Sequence, residues 1–301
     1  MLVIARKFND VFYAMSTDEW SQVETHHLLI ISGYLTKKDF PFVDAFDKVY
    51  VINGSTGSAS VIYELYKVFL LFRGKSYRYV TTCNLAHISH LFLLKLLNEV
   101  RTILLEDGLM NYFSFRTSQR LTKRVVKFLL GVDENRLLRK VYKTYILNPE
   151  DAIYYYGYPT RLNIDFSCFM NRLHFDIPIN NKRIFAGQPF YLDGSMTIEE
   201  YSEIVNKIIE KFKIDYYLPH RTSSSSENIK CVLLDLSKYK VTLEVLASSF
   251  QFDVYGFSSS LLYSTKLINS NIHSFAIQQY GKVSKDASKY ILDHVDAIFS
   301  L

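Results

Sequence analysis

Short apolar runs of strand length alternate with helical patterns along this chain, and the alternation stops once and then starts again. Runs at His27 to Ser32, Lys48 to Ile52, Tyr77 to Thr82 and Thr102 to Leu105 enclose helical segments near Ser60 to Phe72 and Ile88 to Leu97. Strands separated by helices are joined by crossovers rather than hairpins, so this rhythm predicts a parallel sheet of βαβ units. An irregular aromatic and polar stretch from Asn148 to Asn181 interrupts it. The pattern resumes with a strand at Arg183 to Ala186, an amphipathic helix at Thr197 to Phe212, strands at Ile214 to Leu218, Cys231 to Leu234 and Phe252 to Tyr255, and a closing helix at Ser284 to Phe299. Two open parallel sheets with helices on their faces explain a restarting rhythm better than one continuous sheet. The boundary falls near residues 148 to 182, giving a first domain over 1–182 and a second over 183–301. No internal repeat is present, and the only low-complexity tract is Ser223 to Ser226, which reads as a loop.

With 301 residues, 49% hydrophobic and 22% charged, the chain can bury one sizeable core or two smaller ones. No stretch approaches the roughly 20 apolar residues of a membrane span. Met1 to Asp10 lacks the apolar segment of a secretory signal, so the expected location is the cytoplasm. Cys83, Cys168 and Cys231 are isolated and not at metal-ligand spacing, as expected of structural thiols in a reducing compartment. The net charge of +5 is concentrated between Arg116 and Lys143, where Arg116, Arg120, Lys123, Arg124, Lys127, Arg136, Arg139, Lys140 and Lys143 meet only Asp133 and Glu134. Leu121, Val125, Phe128 and Leu129 recur there at helical spacing. Basic side chains flanking an apolar stripe suit peripheral contact with an anionic membrane surface, here the inner face of the cytoplasmic membrane; the alternative is a solvated helix whose stripe packs on the core. No nucleic-acid motif accompanies the patch, and nucleic acid is not an expected partner.

Three polar islands each follow an apolar run: Leu104-Leu105-Glu106-Asp107-Gly108, Tyr216-Tyr217-Leu218-Pro219-His220-Arg221, and Val254-Tyr255-Gly256-Phe257-Ser258-Ser259-Ser260. Ligands of open α/β sheets bind outside the carboxyl ends of strands, where these islands are placed. The first offers paired carboxylates on a turn, either of which becomes a general base through burial or a neighbouring charge. The second offers an imidazole and a guanidinium, both suited to phosphate oxygens. In the third, hydroxyls and backbone amides at the start of a helix can hold an anion or simply cap the helix. Together they suggest a nucleotide-sugar site. Asn53 to Ser58 is a further strand-to-helix turn, without the P-loop lysine or the full dinucleotide pattern, that caps a helix or touches a ligand. Asp193, on a turn after Gln188-Pro189-Phe190-Tyr191-Leu192, competes with Asp107 for the role of base, or caps the helix beginning near Thr197 against competition from Ser195 and Thr197.

An acidic-acidic-Gly element, then a His-Pro element, then a Ser-Ser element are shared marks of bacterial sialyltransferases. Leu105-Glu106-Asp107-Gly108, Gly187-Gln188-Pro189-Phe190, Tyr216 to Arg221 and Tyr255 to Ser260 follow that order, and the chain most resembles glycosyltransferase family 52, which includes lipooligosaccharide and capsular sialyltransferases. One departure is that proline precedes the histidine, as Pro219-His220-Arg221, instead of following it. The resemblance implies a GT-B architecture of two Rossmann-like domains facing a central cleft, the first on the acceptor side and the second binding the nucleotide sugar. It also implies a CMP-linked sialic acid donor, inversion at the anomeric carbon, and no cofactor or metal. Asp107 or Glu106 would then take the acceptor proton, while His220, Ser258 and Ser259 meet the charge on the departing phosphate. Gly108, Gln188, Pro219, Arg221 and Ser260 complete the expected substrate contacts. A GT-B transferase with another nucleotide sugar, or a noncatalytic sugar-nucleotide or glycan-binding protein, remains the alternative.

Overall fold

The computed structural model describes residues 1–33, 36–40, 42–53, 58–83, 85, 87–112, 121–153, 155–164, 175–220, 223, 226–257, 259–277 and 285–300. The chain divides into two compact units, Met1–Asn163 and Ile164–Leu301. The division lies inside the irregular stretch but ahead of residue 182, since Tyr158–Arg161 still forms a strand of the first sheet.

The first unit is a seven-stranded parallel sheet in the order β3-β2-β1-β4-β5-β6-β7. Its strands are β1 (Leu2–Ala5), β2 (His27–Ser32), β3 (Lys48–Asn53), β4 (Tyr79–Thr82), β5 (Arg101–Leu104), β6 (Val141–Ile146) and β7 (Tyr158–Arg161). Its helices are α1 (Phe8–Met15), α2 (Ser58–Phe72), α3 (Ile88–Leu96), α4 (Leu121–Leu129) and α5 (Glu134–Leu138). Val68 and Phe72 of α2, Leu91 and Leu94 of α3 and Leu137 of α5 share one buried cluster with strand residues such as Ile4, Leu29 and Val80. These three helices therefore cover the same face of the sheet, as right-handed crossovers toward β4, β5 and β6 require. The central strand β1 is absent from the sequence expectation. Its four residues are all buried, and so short a run is carried by pairing on both sides, Leu2 with His27 and with Val80. The basic segment is also not one helix. Lys143 belongs to β6, Arg136 lies in α5, and Arg116 and Arg120 fall outside the described residues.

The second unit is a six-stranded parallel sheet in the order β10-β9-β8-β11-β12-β13. It comprises β8 (Lys182–Ala186), β9 (Tyr216–Leu218), β10 (Val232–Leu233), β11 (Phe252–Gly256), β12 (His273–Ile277) and β13 (Ala297–Phe299), with α6 (Ile198–Phe212), α7 (Leu243–Ala247), α8 (Leu261–Ile268) and α9 (Lys285–Asp293). A capping box starts α6: the Glu200 amide donates to Thr197 Oγ1 at 3.2 Å and the Thr197 amide to Glu200 Oε2 at 2.7 Å. Its apolar face, including Tyr201, Val205 and Ile208, enters the core with Phe185, Tyr217 and Phe257. The expected closing helix stops at Asp293, and the last residues form an edge strand instead. Asp296 causes the break: its amide donates to the Ser274 carbonyl, its Oδ2 accepts from the Ser274 amide, and Lys266 bonds its Oδ1 at 2.6 Å. Among the described residues no helix is long and apolar enough to cross a membrane.

Strand order reverses between β1 and β4 in the first sheet and between β8 and β11 in the second. Loops leaving neighbouring strands in opposite directions open a crevice at each of these points, at the carboxyl edge of the sheet.

Candidate active site

Glu106 and Asp107 leave the carboxyl end of β5, and their surroundings differ. Glu106 is 1% exposed. Its Oε2 accepts from the Leu147 amide at 2.8 Å and the Tyr112 hydroxyl at 3.2 Å, clasping the ends of β5 and β6 together. Its Oε1 is buried and has no hydrogen-bond partner among the described residues. Burial pushes the carboxyl pKa up to about 8, against the opposing pull of those two donors. Asp107 stays 18% exposed, and its Oδ1 accepts from Lys7 Nζ at 3.1 Å. The Asp107 amide donates to Asn111 Oδ1 at 2.9 Å, and Gly108 turns the chain at a φ of +66°, a conformation costly for a side chain with a Cβ. At neutral pH the pair thus presents one neutral and one ion-paired carboxyl group, as in sites where two acids are given separate roles.

Lys7 reaches this point from the end of β1. Asp10, 2% exposed, accepts from the Arg6 amide at 2.7 Å, the Lys7 amide at 3.1 Å and the Cys83 thiol at 2.8 Å, so it pins the β1–α1 turn to the end of β4. Burial acts to lower the Lys7 pKa, but Asp10, Cys83 and Asp107 outweigh it and hold the ammonium above its ordinary value. Burial and Asp10 push the Cys83 thiol well up, which suits a structural thiol and not a nucleophile. Arg6 Nε lies 3.2 Å from His90 Nε2, and its guanidinium meets Glu64 at 3.5 Å. Arg6, Lys7 and Asp10 therefore furnish the first switch point, and no motif in the sequence marks them.

In the second unit β9, β8 and β11 are adjacent, with Ala186 in register with both Leu218 and Gly256. The loops carrying His220, Gln188 with Asp193, and Ser259 with Ser260 consequently leave one carboxyl edge side by side. The Gly187 amide donates to the Leu218 carbonyl at 2.9 Å, and a Cβ on Gly187 would stand 2.5 Å from the Tyr217 hydroxyl, so only glycine fits there. The Gln188 amide donates to Tyr201 Oη at 3.0 Å. Tyr201 and Tyr217 hydroxyls lie 3.2 Å apart, and Glu227 accepts from Tyr217 at 2.8 Å and Tyr191 at 2.5 Å. This tyrosine and carboxylate network fixes the floor beneath the loop after β8; Tyr217 and Tyr191 lie in runs read from the sequence, whereas nothing there marks Tyr201 and Glu227.

His220 is exposed directly after Pro219, and its carbonyl accepts from the Ser223 amide at 2.8 Å. Ser259 Oγ accepts from the Leu261 amide at 3.3 Å at the start of α8. Asp193 is exposed and its Oδ1 accepts from the Ser195 amide at 2.9 Å, and of the three candidates for the cap of α6 it is Thr197 that serves. Arg221, Ser258, Cys168 and residues 54–57 of the turn after β3 lie outside the described residues. Among the described residues, no group of three or more His, Cys, Asp or Glu side chains is placed to hold a metal ion.

The sequence model of glycosyltransferase family 52 matches residues 27–279. No curated protein matches the chain. Among solved structures, the glycotransferase of kitacinnamycin is similar at a TM-score of 0.54 and 8% identity, covering 100% of this chain and 84% of that one. A Listeria monocytogenes protein assigned as a UDP-N-acetylglucosamine 2-epimerase is similar at a TM-score of 0.53 and 10% identity, covering 97% and 86%. At such identities the likeness concerns the fold, which is GT-B with two Rossmann-like α/β units.

Proposed function

The chain belongs to glycosyltransferase family 52, and from that premise we propose that it moves sialic acid from CMP-sialic acid to a glycan acceptor of a bacterial surface polysaccharide or lipooligosaccharide, with inversion at the anomeric carbon. The observation that carries this reading is the separation of Glu106 from Asp107: Glu106 is buried with its pKa pushed up, whereas Asp107 is ion-paired with Lys7 and partly exposed. Asp107, held by Lys7 through Oδ1, would take the proton of an acceptor hydroxyl. The acceptor oxygen bonds to the anomeric carbon, the carbon to phosphate-oxygen bond breaks, and its electron pair leaves with CMP. His220, Ser258 and Ser259 would meet the developing phosphate charge with hydrogen bonds set before the reaction. Gly108 shapes the turn of the base. Gln188, Pro219, Arg221 and Ser260 supply the contacts and backbone of the nucleotide edge. In this reading the leaving charge is answered by protein donors and no metal or cofactor takes part. The enzyme works in the cytoplasm, with residues 116–143 meeting an anionic membrane surface.

A donor screen read by nucleotide release tests the reading. Acceptor-dependent release of CMP from CMP-sialic acid is expected, and His220→Ala should lower it by roughly 100-fold with the fold retained. Release of UDP from a UDP-sugar instead would replace the donor, and binding without any turnover would favour a noncatalytic protein.

A further inference from the structure

Most surface helices bury an apolar face and offer a polar one, but α2 is apolar on both sides. Leu65, Val68 and Phe72 face the core. On the opposite side Ile62, Tyr63, Tyr66, Phe69 and Leu70 are 69%, 44%, 57%, 39% and 42% exposed. They recur at three- and four-residue spacing and so form one continuous stripe. The acid nearest to it, Glu64, points inward and pairs with Arg6. The cations lie outside: Lys67 Nζ stands 5.4 Å from the centre of the Tyr63 ring, and the Arg73 guanidinium 5.6 Å from that of Phe69. The outer face thus combines aliphatic and aromatic rings with positive charge and carries no acid.

That chemistry selects among occupants. A second copy meeting this face about a twofold axis would set Lys67 and Arg73 against their own duplicates with no carboxylate on the face to compensate. An anionic lipid surface takes the apolar side chains into its outer region, places tyrosine rings at headgroup level and attracts the cations. Position agrees with chemistry. The Glu64 to Arg6 contact ties the first turns of α2 to the residue beside Lys7, so the stripe begins close to the edge that carries Asp107. On the same side of the sheet, α4 exposes Val125 at 49%, Phe128 at 84% and Leu129 at 75%, and the carbonyl of Leu130 just beyond it accepts from Lys95 of α3 at 2.6 Å.

We propose that the outer face of α2, formed by Ile62, Tyr63, Tyr66, Phe69 and Leu70 with Lys67 and Arg73, docks on an anionic lipid surface. This contact is separate from that of residues 116–143 and holds whatever donor the enzyme uses. The test is co-sedimentation of the full chain with phosphatidylglycerol-containing vesicles and with phosphatidylcholine vesicles. Ile62→Ser/Tyr66→Ser/Phe69→Ser should weaken partition onto the anionic vesicles by about tenfold or more, with helical circular dichroism retained. Lys67→Gln/Arg73→Gln should flatten its salt dependence. The single variants Tyr66→Gln and Phe69→Gln stand in if the triple variant does not fold, with a smaller loss of the same sign. Neutralising Lys123, Arg124 and Lys127 is the parallel arm: loss there with none in any α2 variant would overturn the proposal and leave the basic segment as the lipid contact. So would a wild-type dimer, seen by sedimentation velocity, that the α2 substitutions dissociate without changing vesicle binding.

Discussion

Glu106 and Asp107 carry the same functional group one residue apart, and burial gives them different work. The raised pKa of Glu106 has a consequence for stability. A carboxyl with a folded pKa of about 8 and an unfolded value of 4.5 binds its proton more tightly when folded. Its contribution is complete below pH 4.5, declines as the pH rises, and is lost by about pH 8, a change on the order of a few kcal/mol. Glu106→Gln keeps an acceptor for the Leu147 amide but cannot ionise, so its stability should fall less between those limits than that of the wild type in urea titrations across pH. Parallel curves would show that Glu106 ionises freely in the folded protein. The same variant should alter transfer only modestly, because Glu106 supports the turn. Asp107→Asn should keep CMP affinity and remove most transfer, since the amide preserves shape but takes no proton. If Asp107→Asn still transfers and Asp193→Asn does not, the base is Asp193.

At the level of elements, the edge formed by β9, β8 and β11 gathers groups that are far apart in the chain, and it does so through backbone pairing alone. Ser259 shows the limit of what a helix start implies, because its hydroxyl already accepts from Leu261. Replacing both Ser258 and Ser259 by alanine should weaken CMP binding by about 1 to 2 kcal/mol per lost hydrogen bond, measured by calorimetry. Unchanged affinity would make these serines caps of α8 and nothing more. Over its described residues the basic segment comprises a helix that exposes Val125, Phe128 and Leu129, a second short helix and part of β6. Helical spacing identified an apolar stripe there but could not say which side it would face, because α4 is short and the core contact next to it is made by Val132 and Leu137.

For the whole molecule, the two units make separate predictions. CMP at a hundredfold excess over its Kd should stabilise the protein by about 2.7 kcal/mol. It should slow amide exchange in residues 187–192, 219–223 and 257–262 of the second unit, and UMP should do so less. Protection confined to the first unit would move the nucleotide site to the other sheet. Much of the architecture is legible in the sequence, because strand-length apolar runs between helical periods report local geometry and permit only parallel sheets with ligands at their carboxyl edges. β2 and β11 lie within a residue of the expected runs, whereas β1 does not stand out, since four residues become a strand only when neighbours on both sides supply their hydrogen bonds. The order of the acidic, histidine and serine islands could likewise be read along the chain. Tertiary structure alone decided which of the two acids is buried, and it brought Lys7 across 100 residues to the other. It also decided that one side of α2 stays uncovered. Burial and charge pairing depend on which surfaces meet, and that information lies in contacts between distant segments, not in the spacing of residues within any one of them.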